Sequence, residues 1–211
     1  MRVDWIVFDL GETLVDETSA WARWAQWLGV PQLTFMATLG AVIAQRRHHQ
    51  DVFGYFREGF DFEAERTRKH AAGLGWEFEH EDLYPDALPT LADLRSRGYR
   101  LAVMGNQPRE TGPLMRSLPV DAAAASAEWD VHKPDPAFFA RVAVEVGAPP
   151  ERIAYVGDRV DNDVLPAKAA GMVAVHLRRG PWGVLHAEWP EAAQADLRLD
   201  ALTELADALE Q

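Results

Sequence analysis

Cysteine is absent from the 211-residue sequence. Its absence excludes disulfide bonds, a thiolate nucleophile and cysteine-ligated zinc, so a bound metal must take oxygen or histidine ligands. Long apolar runs are also absent. None approaches the ~18 residues of a membrane-spanning helix, and Asp4 and Asp9 interrupt the stretch where a signal peptide would have its apolar region. We therefore predict a cytoplasmic protein without a membrane partner.

Positive charge is scarce in this chain. Its 21 lysines and arginines stand against 33 acidic residues, which gives a formal net charge of -12. Such an excess of negative charge opposes association with nucleic acid or with an anionic membrane surface, and we predict no nucleic-acid partner. A phosphorylated substrate would need cations placed locally in its binding site.

A strand followed by helices is predicted for the first part of the chain. Residues 3–8 are rich in Val, Ile, Trp and Phe and lead to Asp9, a pattern typical of a buried strand that delivers a carboxylate into a loop. No strand pattern follows between residues 16 and 83. Helices are predicted there at residues 18–28, 33–45, 50–56 and 62–72. We interpret this region as an inserted helical domain.

Strands and helices alternate after residue 85. Strands are predicted at residues 100–104, 122–126, 152–156, 172–177 and 197–199, and helices at residues 87–97, 109–117, 136–146, 162–170 and 201–209. Such alternation is typical of an α/β fold with a parallel sheet flanked by helices. The chain is 48% hydrophobic and long enough for one sizeable core and a small inserted domain.

Polar residues that suit chemistry fall where predicted strands end. They are Asp9, the Gly105-Asn106 pair, Lys133, and Asp158 with Asp163. Ligands of open parallel sheets bind at the edge formed by the carboxyl ends of the strands. Three carboxylates and one lysine at that edge predict a site for a hard cation beside a fixed positive charge. Phosphoryl transfer is the chemistry that such a site suits.

Three segments carry a family resemblance. FDLGETLVD, HKPDP around Lys133 and YVGDRVDNDVLPAKAAGM resemble the first, third and fourth motifs of the haloacid dehalogenase superfamily of hydrolases. The order and spacing of these motifs, with a helical insert after the first, cover nearly the whole chain. The resemblance implies a three-layer α/β/α Rossmann-like core formed by residues 1–15 and 85–211, and a helical cap domain formed by residues 16–84.

The same resemblance implies a role for each matching residue. Asp9 would attack phosphorus to form an aspartyl-phosphate that water then hydrolyses, and Lys133 would neutralise Asp9 and the phosphoryl oxygens. Mg²⁺ would be held by Asp9, the backbone carbonyl of Gly11, Asp158 and Asp163. The phosphoryl group would be bound by Leu10, Gly11, Gly105, Asn106 and Lys133.

The first motif departs from the family pattern at one position. The residue two after the nucleophile is usually a second Asp that transfers protons, and here it is Gly11. Losing that transfer costs roughly 10²- to 10⁴-fold when the leaving group is poor, so substrates with acidic leaving groups would suffer least. Glu12 is the nearest carboxyl, and it is either a substitute acid or a solvated loop residue.

The second motif departs from the pattern as well. Its strand usually ends in Ser or Thr, whose hydroxyl holds a phosphoryl oxygen, and here Gly105 takes that place. The backbone N–H of Gly105 and the backbone and side-chain amides of Asn106 remain as donors. Losing one such donor outright costs roughly 10²- to 10³-fold.

Four functions stay open, with unequal support. The favoured one is a Mg²⁺-dependent phosphatase that acts on a small phosphate ester. A 2-haloacid dehalogenase is disfavoured because family dehalogenases typically lack the Gly-Asp metal motif, present here as Gly157-Asp158. A sugar-phosphate mutase is disfavoured because Gly11 cannot carry a proton. The main alternative is a catalytically weak protein that binds phosphate or metal. Neither the substrate nor the choice between monomer and homodimer follows from the sequence.

Three other polar segments are assigned structural roles. Asp161 and Asn162 are expected to begin a helix rather than to contact the metal. The basic run at residues 46–49 is expected to be a solvated helix end, and the alternative is that it contacts substrate or supplies the missing acid. Residues 178–181 are expected to form an exposed loop.

Overall fold

The computed structural model describes residues 3–75 and 78–211. The chain divides into two compact units, one formed by Met1–Asp16 with Glu79–Gln211 and the other by Glu17–Phe78. Asp16 and residues 79–84, which the sequence-based boundaries placed in the insert, therefore belong with the larger unit. The role of the smaller unit as a cap stays a prediction.

The larger unit is built on six parallel strands. They are β1 (Trp5–Phe8), β2 (Arg100–Gly105), β3 (Ala122–Ala125), β4 (Ile153–Gly157), β5 (Val173–Leu177) and β6 (Leu197–Leu199). Their spatial order is β3-β2-β1-β4-β5-β6, and every neighbouring pair is parallel. Every strand predicted from the sequence is present, with small shifts at its ends.

β1 lies at the centre of this sheet. All four of its side chains are buried, and Ile6, Val7 and Phe8 have no exposed surface. A strand covered on both faces is apolar throughout, which explains the continuous rather than alternating pattern. The chain adds β2 and β3 on one side of β1 and β4 to β6 on the other. Crossovers between parallel strands are almost always right-handed, so strands added on opposite sides of β1 place helices on both faces of the sheet, as an α/β/α core requires.

The described residues of the smaller unit form four helices, α1 (Thr18–Leu28), α2 (Gln32–Ala44), α3 (Asp51–Gly54) and α4 (Phe62–Ala71). An aromatic cluster forms their core. The ring centroid of Trp24 lies 4.7 Å from that of Phe53 and 5.2 Å from that of Phe62, and Phe53 stacks on Phe60 at 4.5 Å. Aromatic pairs of this kind contribute about 0.5–1.5 kcal/mol beyond their buried area. The smaller unit therefore has a hydrophobic core of its own.

A helix must be long and apolar along its whole length to cross a bilayer. Within residues 3–75 and 78–211, no helix by itself is long and apolar enough to cross a membrane. Helices α1 and α2 meet the criterion only as a pair, and the pair is bent by 112° at its break.

The described residues of the larger unit also form seven helices. They are α5 (Ala87–Ser96), α6 (Gly112–Ser117), α7 (Ser126–Trp129), α8 (Pro136–Val146), α9 (Leu165–Ala169), α10 (Gly180–His186) and α11 (Leu205–Glu210). The helix predicted at residues 162–170 differs in its first turn, because the segment Val160–Val164 is π-helical and α9 begins only after it. Wide turns of this type are frequently found at functional sites.

The prediction of an exposed loop at residues 178–181 is wrong from Arg179 onward. The Arg179 guanidinium donates to the carbonyl of Thr13 at 3.0 Å, pairs with Asp86 and lies 4.3 Å from the ring centroid of Tyr84. α10 begins at the next residue, Gly180. The Gly-Pro pair was interpreted as a turn, but proline also suits the first turn of a helix. The partners of Arg179 are distant in sequence and leave no local signal.

Lys69 is a buried cation in the smaller unit, with only 2% of its surface exposed. Its Nζ donates to the carbonyl oxygens of Leu74 and Gly75, and the second of these contacts is 3.0 Å long. The same atom lies 4.8 Å from the ring centroid of Trp24. Burying a charge is costly unless polar groups surround it, so these contacts join the end of α4 to the aromatic core.

We predict that Lys69→Ala destabilises the smaller unit. The substitution removes the donor for two carbonyls and leaves a cavity beside Trp24, so we expect the free energy of unfolding to fall by about 2–4 kcal/mol. Urea denaturation followed by tryptophan fluorescence measures this change. Arg66→Ala, on an exposed part of the same helix, is the matched control and should cost less than about 0.5 kcal/mol. Equal losses in the two variants would contradict the assignment.

Candidate active site

Asp9 follows β1 directly at the carboxyl edge of the sheet. Its backbone N–H donates to the carbonyl of Val156 in β4 at 2.9 Å, which extends the sheet pairing by one residue. The chain then turns tightly, because the carbonyl of Leu10 accepts the N–H groups of Leu14 and Val15, both at 2.9 Å. The result is a short loop in which Asp9 is held at its base by the two central strands.

Lys133 is the cation of the site, and it is 4% exposed. Its Nζ donates to Asp163 Oδ1 at 2.6 Å and lies 2.8 Å from Asp9 Oδ1, at an angle that does not suit a hydrogen bond. Burial by itself lowers the pKa of this ammonium group. The carboxylates of Asp163 and Asp9 more than offset that effect, and the pKa lies well above its ordinary value. Lys133 is therefore a permanent positive charge.

Asn106 fixes the loop that carries Lys133. Its Nδ2 donates to the backbone carbonyl of Lys133 at 2.9 Å, and its Oδ1 accepts the backbone N–H of Lys133 at 2.8 Å. The prediction from the sequence was that this side chain offers amide hydrogens to a phosphoryl group. In the structure the amide pairs with the backbone of Lys133 through both its oxygen and its nitrogen, so its first role is to position that lysine.

Gly105 lies against the carboxylate of Asp9. A Cβ atom added at position 105 would come within 2.0 Å of Asp9 Oδ1. The carboxylate thus occupies the space that a side chain at the end of β2 would fill. Gly157, at the end of β4, has the same relation to Asp163, because an added Cβ would lie 2.3 Å from Asp163 Oδ2.

The π-helical turn Val160–Val164 presents Asp163 to the site. Asp163 Oδ2 accepts the backbone N–H of Arg159 at 2.9 Å, which closes the turn. Asp161 in the same turn faces another partner, since both its carboxylate oxygens accept from the Arg159 guanidinium at 3.1 Å and 2.8 Å. It lies in the first turn of this helical segment, as expected from the sequence, and it is not part of the carboxylate cluster.

Asp9, Asp158 and Asp163 form a buried cluster in which one oxygen of each lies within 4.8 Å of the others. Asp158 Oδ2 has no hydrogen-bond partner among the described residues. Burial, and then the charges of Asp163 and Asp9, raise the pKa of Asp158 well above its ordinary value. Burial also raises the pKa of Asp163 to about 6, although Lys133 opposes this shift. The cluster thus holds three carboxyl groups, two of which pair with the single ammonium group of Lys133, and a divalent cation would balance the remaining charge.

Glu12 lies outside this cluster. Its backbone is in the left-handed region, with φ of 51°, and its side chain is buried. Glu12 Oε2 accepts the hydroxyl of Tyr84 at 2.6 Å, and a Cβ added at Gly180 would lie 2.2 Å from the same oxygen. The carboxylate is therefore enclosed by Tyr84 and the first residue of α10. The expectation of a solvated loop glutamate is wrong, because Glu12 is buried.

Two buried histidines contact the backbone of the loop at residues 158–160, and neither was predicted from the sequence. Burial lowers the pKa of His176, so its ring is neutral at pH 7 and donates through Nε2 to the carbonyl of Asp158 at 3.0 Å. His186 Nδ1 accepts the backbone N–H of Val160 at 3.1 Å. His176 lies in β5 near the carboxyl edge, so the strand-end rule used for Asp9 was a usable signal. His186 lies in a helix that was not predicted.

A family model for haloacid dehalogenase-like hydrolases matches residues 3–171, which is well over half of the sequence. The chain belongs to the haloacid dehalogenase-like hydrolase family. This match confirms the resemblance drawn from the three motifs. The residues that the motifs single out, Asp9, Lys133, Asp158 and Asp163, are also those that the structure brings together.

Individual relatives agree with the family assignment. Phosphoserine phosphatase of Thermus thermophilus is 35% identical over 198 residues, which cover 89% of this chain and 74% of the relative. Glyceraldehyde 3-phosphate phosphatase of Methanopyrus kandleri is 39% identical over 105 residues, but that alignment spans only 45% of its length. The structure of a HAD-hydrolase from Bacillus subtilis bound to magnesium has a TM-score of 0.72 at 16% identity, with 100% of both chains covered. The last comparison shows a shared fold alone.

We predict that Asp158→Asn stabilises the metal-free protein. Raised carboxyl pKa values mean that the folded state binds more protons than the unfolded state between about pH 4 and 6, so metal-free stability falls as the pH rises through that range. Removing one of the three charges should raise the free energy of unfolding at pH 7.5 by on the order of 1–3 kcal/mol. Thermal unfolding in chelator, at pH 5 and 7.5, measures the effect.

Added Mg²⁺ should raise the unfolding temperature of the wild type and have little effect on Asp158→Asn, because ligand binding stabilises only a protein that retains the site. Asp200→Asn makes the same charge change on an exposed side chain and serves as the control. A stabilisation of this control as large as that of Asp158→Asn would show that net charge, and not the cluster, is responsible.

Proposed function

We propose that this protein is a Mg²⁺-dependent phosphatase that hydrolyses a small phosphate ester through an aspartyl-phosphate on Asp9. The observation that carries the proposal is the buried cluster of Asp9, Asp158 and Asp163 around Lys133, at the edge of the sheet where ligands bind. The names of the curated relatives support phosphate esters as the substrate class. Which ester is hydrolysed is left to experiment.

The donor set fits magnesium. Carboxylate oxygens from Asp9, Asp158 and Asp163, together with the backbone carbonyl of Gly11, would hold the ion, because Mg²⁺ prefers oxygen ligands. When bound, it would supply positive charge that polarises the phosphoryl oxygens. The unpartnered Oδ2 of Asp158 and the charge imbalance of the cluster support this assignment.

The chain's own residues would supply the nucleophile, a neutralising positive charge and the groups that bind the phosphoryl oxygens. Asp9 supplies the nucleophilic oxygen, and Lys133 holds that carboxylate by charge and offsets the charge of the incoming phosphoryl group. Backbone N–H groups of Leu10, Gly11, Gly105 and Asn106, at the ends of β1 and β2, are proposed to bind the phosphoryl oxygens. Asn106 also keeps Lys133 in place through the paired contacts with its backbone.

A protein that binds phosphate or metal without efficient turnover is the second candidate. Gly11 and Gly105 lack the side chains that would transfer a proton and hold a phosphoryl oxygen. A 2-haloacid dehalogenase is disfavoured by the structure of the site, since the excess negative charge around Lys133 calls for a metal cation.

We predict that the protein hydrolyses an aryl phosphate with an acidic leaving group and that Asp9→Asn loses the activity. Removal of the nucleophile should lower kcat/KM by at least ~10³-fold, because the amide cannot form the acyl-phosphate bond. Release of the phenol, followed by absorbance with Mg²⁺ and with chelator, measures this.

Asp4→Asn provides the matched control. It makes the same change five residues before Asp9, on a half-exposed side chain that pairs with Arg152, and should keep wild-type turnover. Turnover that persists in Asp9→Asn, or that is insensitive to chelator, would refute the proposal. Mg²⁺ binding without turnover of any phosphate ester would favour the second candidate.

A further inference from the structure

The loop after the nucleophile offers no carboxyl group at Gly11, and the carboxyl group that follows is engaged elsewhere. Glu12 Oε2 accepts the Tyr84 hydroxyl at 2.6 Å and lies against Gly180. Its oxygens are not part of the cluster formed by Asp9, Asp158 and Asp163. The carboxyl group at position 12 therefore lies in the packing between Tyr84 and α10.

Three further titratable groups, which contact Asp9, Glu12 or Asp158 in the described part of the larger unit, are also engaged by protein groups. The Lys133 ammonium is paired with Asp163 and Asp9. Burial, and then the charge of Glu12, raise the pKa of Tyr84, so its hydroxyl remains the donor to Glu12. His176 donates through Nε2 to the backbone carbonyl of Asp158. No group in this set is placed to give a proton to a departing oxygen.

In the first chemical step, the leaving group must therefore depart without receiving a proton from the protein. An oxygen of Asp9 forms a bond to phosphorus while the bond from phosphorus to the leaving oxygen breaks. The electron pair of that bond stays on the leaving oxygen, which departs as an anion and takes up a proton from solvent afterwards. Such a departure is easy for a carboxylate or an acidic phenolate and slow for an alkoxide.

In the second step, water must attack phosphorus without a protein group that accepts its proton. A water oxygen bonds to phosphorus, the bond between phosphorus and Asp9 breaks, and its electron pair returns to the Asp9 carboxylate. The protons of that water pass to the phosphate product and to solvent. Without a carboxylate at position 11 to accept a proton, this hydrolysis is slowed by roughly the 10²- to 10⁴-fold that general-base catalysis contributes.

We infer that this enzyme acts on phosphate compounds whose leaving group departs as a stable anion, acyl phosphates above all, and that its aspartyl-phosphate accumulates during turnover. The inference rests on the proposed phosphatase function and names its substrate class. An acyl phosphate releases a carboxylate, whose conjugate acid has a pKa near 4, so no protein group needs to protonate it.

The test is a leaving-group series measured with the full-length protein and Mg²⁺. Acetyl phosphate, phenyl phosphates of decreasing phenol acidity and an alkyl phosphate are compared for the wild type, Gly11→Asp and Glu12→Gln. In the wild type, kcat/KM should fall by at least ~10²-fold from the most acidic leaving group to the alkyl phosphate. Gly11→Asp should raise kcat/KM for the alkyl phosphate by at least ~10-fold and flatten the series.

Glu12→Gln separates a proton donor from a structural residue. Glutamine keeps an oxygen that accepts the Tyr84 hydroxyl, so the slope of the series should equal that of the wild type. A steeper slope in Glu12→Gln would identify Glu12 as the donor and overturn the inference. A flat series in the wild type would overturn it as well, whatever the behaviour of Gly11→Asp.

The phosphoenzyme is tested by rapid quench with the most acidic aryl phosphate. The wild type should release a burst of phenol close to one equivalent per active site and then turn over slowly, and Asp9→Asn should show no burst. Wild-type turnover without a burst would contradict accumulation. Failure of the phosphatase proposal is distinguishable, since it would appear as no Asp9-dependent release from any member of the series.

Discussion

The ion pairs of Lys133 with Asp9 and Asp163 are the interaction on which the rest of the site depends. A buried ammonium group is tolerated only when charge and hydrogen bonds compensate its loss of water. Here two carboxylates do so at 2.8 Å and 2.6 Å, and a third carboxylate, Asp158, lies beside them. The fold brings together three carboxyl groups beside a single ammonium group, and a divalent cation would balance the excess negative charge.

Close packing around these carboxylates requires glycine at the strand ends. At Gly105, Gly157 and Gly180, an added Cβ atom would lie within 2.3 Å of a carboxylate oxygen, belonging in turn to Asp9, Asp163 and Glu12. Backbone that carries no side chain lets each carboxylate approach the edge of the sheet or the start of α10. The oxygens are then fixed by contacts with the main chain, so little reorganisation is needed when charge develops during a reaction.

The sequence predicted the sheet and the residues of the cluster for a simple reason. Strands covered on both faces are apolar throughout, and parallel strands all end at one edge, so Asp9, Lys133, Asp158 and Asp163 had to converge. The burial of Glu12 and the pairing of Asp161 with Arg159 were not predictable in this way. Each depends on a side chain's direction or on a partner far along the chain, which periodicity does not encode.

The carboxylate of Glu12 cannot replace a carboxylate at position 11, although the two positions are adjacent. With φ of 51°, Glu12 occupies a conformation that costs a non-glycine residue on the order of 1 kcal/mol. The hydrogen bond from Tyr84 and the contact with α10 offset this cost and hold the carboxylate in the packing of the larger unit. A group fixed in that way stabilises the loop that follows Asp9. Proton transfer requires a side chain that reaches the reacting oxygens, and the loop supplies none at Gly11.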